Sequence, residues 1–169
     1  MLACDPVKEA SKQMGALCES AANARSLPSA SGGLRIDEED LTADAQEIYS
    51  TYAGSAAASA ALAMEVAYGT CRAQLLQTRD DILYSDMGGK KADFRVQIDG
   101  RPVGVTVTRA FSFPYDTPFT QEMASTLLTD KLGDILAENL NVDSSNSWDK
   151  QVLVVFAYAE SHVESLTAA

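Results

Sequence analysis

The side chains of this chain best placed to do chemistry lie on a segment that a two-residue bend folds back on itself. Asp99-Gly100 separates two alternating apolar and polar runs, and that pair suits a tight hairpin because both central positions of the favoured turn need positive φ. Such a loop sets Ile98 opposite Arg101, Val96 opposite Val103 and Phe94 opposite Val105, which lines one face with apolar pairs. The other face then carries Asp93 opposite Thr106, Arg95 opposite Gly104 and Lys91 opposite Thr108. A polar stripe of this kind is either an exposed face or the floor of a site. Glu65 is the second clue: it is the only charged residue between Tyr52 and Arg72, and helical spacing places it beside Ala58, Ala61, Leu62 and Tyr68. A carboxylate in such surroundings is paired, bound to a metal, or pushed toward its protonated form by desolvation. Pairing with Tyr84, Lys91 or Arg72 is the structural alternative to a metal.

The elements that must position these residues follow from periodicity. Asp5-Pro6 reads as a helix start, and Val7, Ala10, Met14, Leu17, Cys18 and Ala21 recur at helical spacing. A Ser, Gly and Pro-rich linker over residues 26–33 separates this amphipathic helix from the rest. The chain thus divides into an N-terminal extension, 1–36, and an α/β domain, 37–169. In the domain, helices are expected over residues 42–52 and 56–70, with a break at Gly54 and Ser55. Strands are expected over 73–84, 92–98 and 102–108. Residues 120–138 place Ala124, Leu127, Leu128, Leu132, Ile135 and Leu136 on one helical stripe, and the apolar run 151–157 reads as a strand covered on both faces. A parallel crossover through the 120–138 helix gives a mixed sheet flanked by helices.

This order of helix, three strands, helix and strand carries an acid on the first helix, an Asp on the second strand and a short motif on the third. Over residues 52–157 it resembles the PD-(D/E)XK nuclease-like superfamily, whose restriction endonuclease-like fold has an αβββαβ core. The resemblance matches Asp93 to the family Asp, Glu65 to the helix Glu, and Thr106-Val107-Thr108 to the E-x-K motif. It implies that Asp93 and Glu65, with Asp86 as a further ligand, would hold Mg²⁺ in an active member, while Lys91 or Lys131 would stand in for the missing Lys. Two hydroxyls in place of Glu and Lys neither ligate well nor supply charge. The resemblance therefore implies a degenerate member without a cofactor, acting as a binding or scaffold subunit in a larger protein or ribonucleoprotein assembly. One alternative is an active Mg-dependent nuclease. Another is a protein-interaction module unrelated to nucleases, docking through the helix at residues 6–22.

Charge restricts the partners. Thirteen Lys and Arg against 24 Asp and Glu give a net charge of −11, which repels phosphate backbones on average. A nucleic acid would need a local patch, for which Lys90, Lys91 and Arg95 are the candidates; a protein partner is the simpler expectation. The three cysteines form no CxxC pair, which suits a reducing compartment. No apolar run approaches the roughly 20 residues of a membrane span, so the expected location is cytoplasm or nucleus. His162 lacks a nucleophile at any recognisable spacing, and Gly88-Gly89-Lys90-Lys91 reads as a turn rather than a phosphate loop.

Overall fold

Thr42 accepts a hydrogen bond from the Ala45 N–H at 3.4 Å, so the first helix, α1 (Ala43–Thr51), starts behind a capped turn. The computed structural model describes residues 39, 41–52, 54–114 and 117–169; the amphipathic helix and linker expected before them lie outside the described residues. Gly54 has φ +66°, a conformation side chains with a Cβ avoid, and it turns the chain into α2 (Ser55–Cys71). Ala60, Ala61 and Met64 of α2 pack with Ala45 and Ile48 of α1, the small residues letting the two helices approach closely.

Four strands follow: β1 (Gln74–Thr78), β2 (Phe94–Ile98), β3 (Arg101–Ala110) and β4 (Lys150–Ala157). They form one sheet in the order β1-β2-β3-β4, antiparallel between β1 and β2 and between β2 and β3, and parallel between β3 and β4. The hairpin has the expected register, with Phe94 opposite Val105, Arg95 opposite Gly104 and Ile98 opposite Arg101. Asp99 at φ +49° and Gly100 at φ +78° supply the two left-handed positions of the turn. Helix α3 (Gln121–Asn141) makes the parallel crossover, and α4 (Glu160–Ala168) follows β4. Because side chains alternate along a strand, Phe94, Val96, Val103 and Val105 face α1 and α2 in the main core. On the other face, Ala110 and Val155 join Phe119, Ala124, Leu127 and Leu166. The chain is an α/β domain with a four-stranded mixed sheet flanked by helices. Among the described residues no helix is long and apolar enough to cross a membrane.

Three elements differ from expectation. The first strand stops at Thr78, where the Thr78 hydroxyl and the Asp81 carboxylate, 2.5 Å apart, close a turn; beyond it only Tyr84 makes an isolated bridge, to Val142. Strand β4, expected to be covered on both faces, lies at the sheet's edge, and of its side chains only Val154 is fully buried. Helix α3 is turned about its axis relative to its apolar stripe. Its buried residues are Ala124, Glu138 and Asn141, whereas Leu132 and Leu136 are 54% and 69% exposed. Polar groups on the sheet face beneath it explain the rotation.

Candidate functional site

Asp93 sits where β2 gives out. The Val107 N–H lies two residues past Val105, the partner of the first β2 residue. Asp93 Oδ2 accepts from that N–H at 2.6 Å, so the side chain continues the hydrogen bonding of β3 after the neighbouring strand has ended. Tyr52, which caps the C-terminus of α1, donates its hydroxyl to Asp93 O at 2.5 Å and to Oδ1 at 3.1 Å. Burial pushes the Asp93 carboxyl above its ordinary range, and the bonds from Val107 and Tyr52, with the charges of Arg79 and Lys131, pull it back. Burial first and the Asp93 charge second raise the Tyr52 phenol, which therefore stays protonated and remains a donor. Cations rest on the nearby rings: Arg79 is 5.9 Å from the Tyr52 centroid and Lys91 is 5.4 Å from that of Tyr84.

The polar face of the hairpin is neither exposed nor open. Thr106 is 4% exposed and Glu138, on α3 above it, 2%. The Thr106 hydroxyl donates to Glu138 Oε2 at 2.6 Å, and Gln151 of β4 donates to Thr106 Oγ1 at 2.8 Å and to Glu138 Oε2. Gln151 Oε1 accepts from Asn139 at 2.8 Å, and Asn139 Oδ1 accepts from the Trp148 indole at 2.7 Å. Gly104 leaves room for that indole, since a Cβ there would lie 2.7 Å from Trp148 Cε2. Burial raises the Glu138 carboxyl, the Thr106 and Gln151 bonds lower it, and the negative charge of Asp93 raises it further. Two carboxylates thus feel each other's charge, each satisfied by its own donors.

The residues expected to share a site hold separate structural posts. Glu65 Oε1 accepts from the Thr42 N–H at 2.6 Å and so takes the part that a glutamate in the first turn plays in a capping box, a place occupied here by Ala45. Asp86 Oδ1 accepts from the Gly88 N–H at 2.9 Å and shapes the turn that follows it. The ladder of β2 with β3 begins at Phe94 opposite Val105, one residue short of the expected pair of Asp93 with Thr106, and the two side chains bond to different elements, Asp93 to the end of α1 and Thr106 to α3. Among the described residues no three His, Cys, Asp or Glu side chains come together as ligands. Mg²⁺ needs oxygen ligands converging in near-octahedral geometry, whereas the hydrogen bonds of Glu65, Asp93 and Asp86 tie each of them to a different part of the fold.

The basic candidates are committed as well. Lys90 pairs with Asp134 at 2.8 Å, and Lys131 pairs with the same carboxylate at 3.2 Å. Arg95 donates to Gln77 Oε1 at 2.8 Å and to Ser147 O at 3.0 Å. Lys91 lies over Tyr84.

Sequence reasoning missed Glu138, Gln151, Asn139 and Asn141. Asn141 bonds the backbone of Asp86 through both its oxygen, at 2.8 Å, and its amide nitrogen, at 2.9 Å, and reaches Lys90 O at 2.9 Å. It thereby clasps the glycine turn; a Cβ on Gly89 would lie 2.6 Å from its nitrogen. A usable signal existed: Ala124, Lys131 and Glu138 recur every seven residues, the spacing of one helical stripe.

No known protein family matches the chain, and no solved structure matches it. Among curated proteins, the chain is 36% identical over 109 residues to the AAC-rich mRNA clone AAC4 protein of Dictyostelium discoideum. That match takes in 61% of this chain and 16% of the relative, so the chain spans less than a fifth of the relative's length.

Proposed function

We propose that this chain is a catalytically silent, nuclease-like α/β domain that works by binding, as a subunit or scaffold in a larger protein assembly. The observation that carries the reading is the occupancy of Asp93: one carboxylate oxygen is taken by a main-chain N–H of β3 and the other by the Tyr52 hydroxyl. An acid used to complete a sheet is poorly free to hold an ion. The position that resembles the catalytic Glu of the nuclease motif is Thr106, whose hydroxyl is bonded to Glu138. The position of the motif Lys is Thr108, and Lys90 and Lys131 are paired with Asp134 instead of facing an unshielded phosphate. With a net charge of −11, a protein partner fits this surface better than a polyphosphate.

The test combines cleavage and ion binding. The full chain, incubated with Mg²⁺ or Mn²⁺ and single- or double-stranded DNA or RNA, is expected to leave every substrate intact, and titration with Mn²⁺ is expected to give no saturable heat. Cleavage that disappears in both Asp93→Ala and Glu138→Gln, with both variants folded, would overturn the reading and assign the site to a nuclease.

A further inference from the structure

The two edges of the sheet are treated differently. Edge strands present unpaired N–H and C=O groups, and proteins blunt them with short length, bulges, charges or covering side chains. Strand β1 has these protections: it is five residues long, its register shifts between Leu75 and Gln77, and the Asp44 carboxylate takes the Leu75 N–H at 2.9 Å. Strand β4 has almost none. Its register with β3 is unbroken over all eight residues, and Lys150 is its only charge. Its run QVLVVFA is uncharged and apolar on both faces, without the edge charges that discourage pairing.

The surfaces flanking this edge are apolar too. Asn139 of α3 faces Gln151 of β4, while Asp134 and Asn141, on the helix's other flank, hold the loop before β2. Leu132 precedes Asn139 by seven residues and so shares its side of the helix, beside β4, while Leu136, two residues before the buried Glu138, lies on the face turned away from the sheet. They are exposed, and Leu140 next to them is 87% exposed. On the opposite face of the sheet, Val66 and Thr70 of α2 form an apolar cleft with Val152 and Val154.

We propose that β4 is the interface strand of a homodimer, in which two copies pair antiparallel through their β4 edges and join two four-stranded sheets into one. Charge favours a second copy as the occupant. Antiparallel pairing about a twofold axis near Val154 puts Lys150 of each copy opposite Tyr158 of the other, about 7 Å from Glu160. Residues 151–159 carry no charge, although the chain as a whole has a net charge of −11, so the like charges of two copies lie away from this contact. The inference is independent of the binding reading above, because it holds whether or not Asp93 serves an ion.

Sedimentation equilibrium on the full chain tests it. The expected result is a dimer mass at micromolar concentration. Leu132→Lys and Lys150→Glu, both at exposed positions, should each weaken the dimer at least tenfold with unchanged circular dichroism. Lys150→Glu combined with Glu160→Lys should restore it. Hydrogen exchange should show β4 amides becoming protected as concentration rises, with β1 amides unchanged. A monomer at all concentrations overturns the proposal, as does a dimer indifferent to these substitutions, or β4 amides protected equally in a monomer.

Discussion

The Thr106 hydroxyl lies 2.6 Å from Glu138 Oε2, and this bond ties an interior strand of the sheet to the helix that covers it. The contact explains why α3 turns a glutamate inward and three leucines outward. Thr106 would otherwise be a buried donor without a partner, which costs more than exposing apolar surface that a second chain can cover.

Replacing Glu138 separates the role of its shape from that of its charge. Glu138→Ala strands the Thr106 hydroxyl and the Gln151 amide under α3 and is expected to cost about 3 kcal/mol. Glu138→Gln keeps an acceptor oxygen for both donors and removes the buried charge, so urea unfolding at neutral pH should show no loss of stability. If the two variants are equally destabilised, charge at this position stabilises the fold and the account is wrong.

The same burial sets the pH dependence. Asp93 and Glu138 both have folded pKa values above the ordinary 3.8 and 4.5. The folded chain therefore binds these two protons more tightly than the unfolded chain, and the stability they contribute is greatest below the ordinary values and declines as pH rises through the folded ones. Asp134 and Asp143 are shifted the opposite way, by Lys90 and by Ser145, so their contribution is lost as pH falls through their depressed folded values. Both are solvent-screened and weigh less. Thermal unfolding should thus show the melting temperature rising as pH falls from neutrality toward the ordinary carboxylate values. The slope should flatten in Glu138→Gln and flatten further with Asp93→Asn. A melting temperature that falls steadily over that range would reverse the sign.

Much of the fold was legible because it rests on local rules. Asp99-Gly100 dictated the register of every pair in the hairpin, and Thr42 and Gly54 marked the helix starts at which α1 and α2 begin. The site was less legible, because its bonds cross long sequence separations that periodicity does not report. Glu65 satisfies Thr42 across 23 residues and Thr106 meets Glu138 across 32. The inward face of α3 was misread for a related reason: hydrophobic spacing assumes an apolar partner, and the sheet face beneath this helix is polar. Strand β4 is apolar enough for a strand covered on both faces, but only Val154 is fully buried, because composition reports what a strand can bury and not what one chain supplies.

Asp93 and Tyr52 should be energetically coupled. Asp93→Ala leaves the Val107 N–H without its partner and the Tyr52 hydroxyl without the side-chain acceptor; a loss of about 2 kcal/mol is expected. Tyr52→Phe removes the 2.5 Å and 3.1 Å bonds from the hydroxyl and should cost about 1 kcal/mol. Since the two share a contact, the double variant should be less destabilised than the sum of the singles. Strict additivity would mean that the hydroxyl gives its stabilisation through the Asp93 main-chain oxygen alone.

Gly104 offers the sharpest packing test. A Cβ at this position would lie 2.7 Å from Trp148 Cε2 and 2.8 Å from Cδ2. The ring cannot simply swing aside, because its Nε1 is held 2.7 Å from Asn139 Oδ1, and Asn139 is held in turn by Gln151. Gly104→Ala should therefore destabilise the fold by about 1 to 3 kcal/mol, the range for overpacking a filled site. Trp148→Leu removes the obstructing ring at its own cost in buried surface, so Gly104→Ala introduced on that background should cost much less. Equal costs of Gly104→Ala on the two backgrounds, measured by urea unfolding, would show that the glycine is required by β3 itself and not by the indole lying across it.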